Sequence, residues 1–324
     1  MNKEKVKKEM KFTSNCLTIS KTKLKTHKDA SLILKKAKSI SKELGVIDDD
    51  LYKHHTTMTN YLYVDAPINK MVNAVVTYDV LYFLDDFFGE DTNKGLLVDL
   101  KKVLAIWAGN TQYSDSNTKI DNLYKSIFYI SNSIKKDSPS YFFNKYTQSI
   151  TEHLSYSLKS IPYTTVDEYI AIRLYTGGMF PVIDLIEYIH SIYISPEILN
   201  KVSLIKKLRE QCALIGALSN DLFSYAKEKH SNYNLINAYL LSNEADNYND
   251  AVNKSIIKVN TIHSEFQLTL ERIVQKSTEL NPTHRAIVLK YIDAINVIVS
   301  SSYHWQKSTK RYLHSENIFE DMKV

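Results

Sequence analysis

Ala217-Leu218-Ser219-Asn220-Asp221-Leu222-Phe223-Ser224-Tyr225-Ala226-Lys227-Glu228 is the stretch on which the reading of this chain turns. Asn220, Ser224 and Glu228 recur every four residues. On an α-helix each such step moves a side chain only about 40° around the axis, so an amide oxygen, a hydroxyl and a carboxylate form one stripe. All three are hard oxygen donors of the kind that suits Mg²⁺. The residues before the stripe, Cys212 to Leu218, are apolar, as are Leu222 and Phe223 within it. Polar groups on the buried face of such a helix cost free energy unless they find partners, which a metal ion and an anionic ligand would provide. A solvated polar stripe on a surface helix has the same spacing, and the rest of the chain must decide between the two.

The 324 residues allow one large domain or two ordinary ones, and a hydrophobic fraction of 44% is enough for a sizeable core. Seven Gly and six Pro, with abundant Leu, Ile, Lys and Ala, favour helices with short connections. Tyrosine is unusually common at 23 residues, so aromatic faces are plentiful for packing or for lining a pocket. The two cysteines, Cys16 and Cys212, form neither a CxxC pair nor a thiolate zinc site, which points to a reducing compartment.

The net charge of +5 is unevenly spread. Residues 1–40 hold twelve Lys against three acidic residues, a local +9, which leaves the body at +5 − 9 = −4. A basic head on a slightly acidic body does not describe a nucleic-acid-binding domain. The head has no Arg and no apolar run between its lysines, so it fits neither a secretory signal nor a transit peptide. No stretch approaches the ~18 consecutive apolar residues of a membrane span. The expectation is a soluble, cytoplasmic protein with a basic, loosely held segment at 1–30 and one folded domain at 31–324.

Apolar spacing predicts helices at 30–44, 67–88, 95–109, 119–133, 139–160, 165–192, 197–230, 247–278 and 282–313. Thr165-x-x-Glu168 reads as a capping box, and Asn281-Pro282 opens the last helix with Pro in its first position. Neither internal repeats nor a strand-like alternation appears. The fold class is therefore all-α, one domain of roughly ten helices.

A second constellation closes the 67–88 helix: Leu81-Tyr82-Phe83-Leu84-Asp85-Asp86-Phe87-Phe88-Gly89-Glu90. Asp85 and Asp86 follow an apolar run and lie near a helix C-terminus, where the macrodipole disfavours each carboxylate by ~0.3–1 kcal/mol. A cation shared with Glu90 would compensate. A charged terminal turn facing solvent is the plainer alternative.

Together the two constellations resemble the class I terpene synthases. Asp85 to Glu90 is similar to the DDxxxE motif of that family, and Asn220 to Glu228 matches its NDxxSxxxE motif at every defined position, about 135 residues further on in the order that microbial members show. The resemblance covers roughly residues 40–315. It implies a single-domain helical bundle around a central active-site cavity. Three Mg²⁺ ions would be held between Asp85, Asp86 and Glu90 on one side and Asn220, Ser224 and Glu228 on the other. It implies a prenyl diphosphate substrate, with farnesyl diphosphate the expected one, and leaves room for a homodimer.

Arg173-Leu-Tyr-Thr176-Gly177 resembles the family's effector segment, with Arg173 as diphosphate sensor, Thr176 as linker and Gly177 as effector. Thr176 departs from the acidic or amide linker common in microbial relatives. Gly177-Gly178 with Pro181 is expected to break the helix there. Arg311-Tyr312 matches the family's diphosphate-binding pair, and Lys227 adds a further cation. Trp305 sits six residues before Arg311, where an active-site aromatic often stands, and Tyr82 lies one turn before Asp85–Asp86. Either ring could stabilise a carbocation by ~0.5–2 kcal/mol, and plain core packing explains either equally well. A prenyl-chain elongating synthase would carry a second aspartate-rich motif in place of Asn220, Ser224 and Glu228. A non-catalytic helical interaction protein would have no reason to keep the oxygen ligands.

Overall fold

Seven consecutive buried residues, Ala74 through Val80, preceded by buried Met71 and Val72, mark the helix of Ile68–Phe88 as buried on every face and therefore central. In this computed structural model, residues 16–19, 25–47, 58–88, 99–110, 118–157 and 161–309 are described, except for the side chains of Tyr82, Asp85–Phe88, Lys119, Lys227 and Ser308. The α-helices among them are α1 (Ala30–Glu43), α2 (Thr59–Leu62), α3 (Ile68–Phe88), α4 (Leu100–Trp107), α5 (Lys119–Lys136), α6 (Ser140–Ser157), α7 (Val166–Thr176), α8 (Met179–His190), α9 (Pro196–Lys201), α10 (Leu204–Glu228), α11 (Leu235–Leu241), α12 (Tyr248–Lys276) and α13 (Pro282–Ser308). No strand occurs among the described residues. One hydrophobic cluster runs from Leu17 to Trp305.

Two helices organise the packing. α3 lies against α1, α2, α5 and α8, while α10 is covered by α7, α8, α9, α11, α12 and α13. α8 touches both, so it bridges the helices that carry the two motifs. It does so with buried charge. Asp184 and Glu187 are fully buried on α8. Lys145 of α6 pairs with both, and Arg209 of α10 pairs with Asp184. Glu187 also accepts from Ile194 N at 3.0 Å. Burial raises the Glu187 carboxyl above its usual range while Lys145 pulls it down. Removing one partner of such a network strands a buried charge, so it fixes how α6, α8 and α10 meet.

Helix boundaries follow their caps. Thr165 Oγ1 accepts from Glu168 N and the Glu168 carboxylate reaches back to Thr165 N, the expected capping box. Asn281 accepts from His284 N at 2.8 Å ahead of Pro282. Three expectations need correction. The helix expected over 197–230 is two, because Val202 leaves helical geometry (φ −126°, ψ 65°) to bury its side chain. α2 and α11 were not expected: four and seven residues are too short to show a period. The segment 1–30 is not loosely held throughout. Leu17 and Ile19 are buried, Thr18 N donates to Asn260 of α12 at 2.8 Å, and Asn260 donates back to Cys16 O at 2.9 Å. Residues 1–15 lie outside the described residues. Val166–His190 and Pro282–Lys307 are long and apolar enough to cross a membrane by composition, but half of each apolar window is buried inside the fold.

The break expected at Gly177–Gly178 is present. Gly178 adopts φ +65°, a left-handed conformation that ends α7 and lets α8 start in a new direction. Gly177 keeps φ −66°, so its backbone would accept a side chain, but the space is absent. A Cβ there would lie 2.6 Å from Ala217 Cβ on α10 and 3.0 Å from Arg173 O. Gly177→Ala is therefore expected to destabilise by about 1–3 kcal/mol through overpacking. Ala217→Gly, which alone costs about 1 kcal/mol of helix propensity, should recover most of that loss in the double variant. Urea unfolding of the four proteins measures it, and effects that add within ~0.5 kcal/mol would show that the two residues do not meet.

Candidate functional site

α10 is a helix whose first five turns are spent on packing and whose last two carry chemistry. Gln306 of α13 donates to Gly216 O at 2.9 Å, holding α10 one turn before Asn220. Gly216 leaves room for a close neighbour, since a Cβ there would meet the Met179 methyl at 2.6 Å and push that side chain aside. Both the helix break and α13 thus press on α10 just ahead of the polar stripe.

The structure brings Asn220, Ser224 and Glu228 together on one face, as the spacing predicts. Ser224 is buried and the other two are half-buried. Ser224 Oγ lies 2.7 Å from Glu228 Oε2 and 2.7 Å from Asn220 O. Arg173, in the last turn of α7, reaches across with Nη2 3.2 Å from Asn220 Oδ1. One cation and three oxygen side chains from α7 and α10 therefore share a site. Among the described residues no three His, Cys, Asp or Glu side chains gather to hold a metal. The stripe has a single carboxylate, and its amide and hydroxyl oxygens suit a hard cation that takes further ligands from elsewhere.

The residue that orders this site is one the spacing argument passes over. Asp221 is fully buried. Arg173 Nε and Nη2 lie 2.9 and 2.8 Å from its Oδ1, and Tyr169 OH donates to Oδ2 at 2.5 Å. Leu235 N, at the start of α11, adds a bond to Oδ2 at 3.1 Å. Burial pushes the Asp221 carboxyl up to about 6, while the Arg173 guanidinium pulls it down. Burial acts most strongly and lowers the Arg173 pKa, but the Asp221 charge together with Tyr169, Glu228 and the Asp221 hydrogen bond outweighs it, so the guanidinium stays charged. Tyr169 and Arg173 are four residues apart on α7, so one face of that helix supplies two donors to one carboxylate. No local sequence signal marks this pairing, which joins α7 to α10 only in the folded chain.

Other expected residues fall variously. Thr176 is half-buried at the end of α7, and among the described residues no hydrogen bond joins it to Arg173. Gly177 contacts α10 as described. Trp305 is 6% exposed in the core cluster, beside the Gln306 contact to α10. Asp85 and Asp86 stand in the last turn of α3, with their side chains outside the described residues, as are the side chains of Tyr82 and Lys227. Glu90, Arg311 and Tyr312 also lie outside the described residues.

The Asp221 assignment has a sharp consequence for stability. Asp221→Asn keeps the shape but leaves Arg173 facing a neutral amide in a mostly buried position. Breaking such a pair is expected to cost about 3–5 kcal/mol. Asp221→Leu combined with Arg173→Met removes both charges and should recover most of the loss. Urea titrations test this, and an Asp221→Asn protein as stable as wild type would show that the pair contributes nothing to the fold.

The sequence family described as "Terpene synthase family 2, C-terminal metal binding" matches residues 77–255, more than half of the chain and a span that includes both motifs. Terpene synthase 4 of Physarum polycephalum is 23% identical, covering 83% of this chain and 83% of its own. The sesquiterpene synthase Agr1 of Cyclocybe aegerita is 25% identical over 79% of this chain and 73% of its own. Among solved structures, germacradien-4-ol synthase from Streptomyces citricolor superposes with a TM-score of 0.72 at 14% identity, covering 90% of this chain and 98% of that one. At that identity the superposition speaks for the helical fold, and the sequence match speaks for the lineage: this chain belongs to the terpene synthase family.

Proposed function

We propose that this protein converts farnesyl diphosphate, with Mg²⁺, into a sesquiterpene hydrocarbon or alcohol and releases diphosphate. The observation that carries the reading is the convergence of Arg173 with the Asn220, Ser224 and Glu228 oxygens at the end of α10. Sesquiterpene synthases among the relatives support the C15 substrate.

In this reading Asn220, Ser224 and Glu228 hold one part of the metal cluster, and Asp85, Asp86 and Glu90 hold the rest. Three Mg²⁺ ions, when bound, neutralise the diphosphate and act as Lewis acids on its oxygens. The chain's own cations do the remaining work on the leaving group. Arg173 donates charge-assisted hydrogen bonds to the departing diphosphate, with Lys227 and Arg311 beside it and the Tyr312 hydroxyl as a neutral donor. Asp221 keeps the guanidinium charged and aimed while it does so. The end of α7 at Thr176 and Gly177 presses against α10 and sets how close Arg173 stands to the stripe. Loss of diphosphate leaves an allylic cation that water would trap, so the hydrocarbon must be enclosed by apolar and aromatic side chains. Trp305 and Tyr82 are assigned to that lining, where a ring face stabilises positive charge.

Purified protein incubated with Mg²⁺ and C10, C15 or C20 prenyl diphosphates, followed by analysis of volatiles, tests the proposal. A C15 terpene from farnesyl diphosphate is expected, with none after chelation. Glu228→Gln should lower turnover by more than the ~10–100-fold that loss of an outer partner of a metal ligand costs. Longer diphosphates formed with isopentenyl diphosphate would make it an elongating synthase. Absence of metal-dependent turnover on every substrate would make it a non-catalytic helical protein.

A further inference from the structure

After Glu228 the chain turns through Lys229–Tyr233 and re-enters a helix at Leu235. Asn234 sits at that re-entry, extended (φ −146°, ψ 137°) and fully buried. Its side chain makes three contacts. Oδ1 accepts from Ile236 N at 3.0 Å, which caps α11. Nδ2 donates to Asp221 O at 2.8 Å and lies 3.2 Å from Glu228 Oε2. A carbonyl and a carboxylate on one side and an amide N–H on the other permit a single orientation of the amide.

The geometry explains how one short side chain serves both groups. Asp221 and Glu228 are seven residues apart, so they share a face of α10 to within about 20°. Side chains on a helix lean toward its N-terminus, which brings the Glu228 carboxylate back along the axis toward Ser224 and Asp221. Asn234 fills the gap that remains. It is itself clamped: Tyr233 OH donates to Ile161 O at 3.2 Å, Tyr163 OH donates to Asn232 O, and Asn237 donates to Ser231 O at 2.8 Å.

Glu228 needs such help. It is the last residue of α10, where the helix dipole disfavours a carboxylate and its own side chain has many rotamers. Ser224 and Asn234 both act on Oε2. Among the described residues no donor is assigned to Oε1. Among the described residues, then, the carboxylate is held through Oε2 alone. Carboxylates that bind metals are commonly fixed by hydrogen bonds of this kind.

We infer that Asn234 is a positioning residue for the divalent-cation site: it locks Glu228 through Oε2, so that Oε1 is presented to the cation, and it ties that carboxylate to the backbone of Asp221. This rests on the metal-dependent reading above. Two variants separate positioning from folding. Asn234→Ser keeps a good helix cap but lacks the amide donor. Asn234→Asp keeps the cap and the shape but puts an acceptor against Glu228 Oε2.

The probe is Mn²⁺ with inorganic diphosphate, followed by loss of the free-ion electron paramagnetic resonance signal. The half-saturating Mn²⁺ concentration should rise about 10–100-fold in Asn234→Ser and further in Asn234→Asp. With farnesyl diphosphate, half-saturating Mg²⁺ should rise while kcat at saturating Mg²⁺ is largely kept. Melting temperatures without metal report the structural role separately. Wild-type Mn²⁺ affinity in either folded variant overturns the inference, including where that variant melts earlier. A wild-type protein that takes up no Mn²⁺ with diphosphate overturns the parent reading and this one together. If wild type binds, Glu228→Gln does not, and both Asn234 variants bind as wild type, this inference alone falls.

Discussion

A single buried carboxylate, that of Asp221, is the constraint around which the functional end of this molecule is arranged. Left unpaired, a fully buried anion would cost several kcal/mol. Here it collects a guanidinium and a phenol from α7 and a backbone N–H from α11. Those bonds fix the azimuth of α7 against α10, since Tyr169 and Arg173 can meet Asp221 together only when that one face of α7 is turned inward. They also fix where the chain starts α11, because Leu235 N must point back at α10. The positions of Arg173 and of the loop behind Glu228 follow from one charge.

The helix break works with this pairing. α7 ends three residues after Arg173, and Gly177 lets its end come to within contact of Ala217, three residues before Asn220. Gly178 then turns the chain so that α8 can run between α3 and α10, where Asp184 and Glu187 are met by Arg209 and Lys145. A longer α7 or a bulkier residue 177 would lift Arg173 away from the stripe. The two glycines and the two buried ion-pair clusters therefore serve a single end, a fixed distance between the guanidinium and the oxygen donors.

Much of this was legible in the sequence, and the remainder was hidden for identifiable reasons. The stripe of Asn220, Ser224 and Glu228 was readable because four-residue spacing is a property of the helix alone. The capping box at Thr165–Glu168 and the break at Gly177–Gly178 were readable because local backbone chemistry decides them. Asp221 was not, because its importance comes from a helix 48 residues away and nothing local separates a buried, paired Asp from an exposed one. Asn234 was hidden as well, because the α11 it caps is too short to show a period and its bond to Glu228 forms only in the folded chain. The split at Val202 depended on tertiary burial overriding a helical pattern. The basic head misled in part: its lysines suggest a solvated segment, yet Leu17 and Ile19 within it are buried.

Asn220, Ser224 and Glu228, polar side chains on an otherwise apolar helix, need partners. The chain supplies internal ones: Arg173 for Asn220, Glu228 for Ser224, and Ser224 with Asn234 for Glu228. Burial alone therefore does not demand a cation here, and the case for one rests on the hardness of the donors and on the family. On the proposed reading, filling the stripe would be an exchange, in which contacts to a cation replace some of the hydrogen bonds that Arg173, Ser224 and Asn234 now make to Asn220 and Glu228. Net affinity is then the difference between two sets of charge-assisted contacts, which is smaller than the set gained. Arg173 released from Asn220 keeps Asp221 as its counter-ion. On the proposed reading, that counter-ion would hold the guanidinium in place for the anion that accompanies the cation.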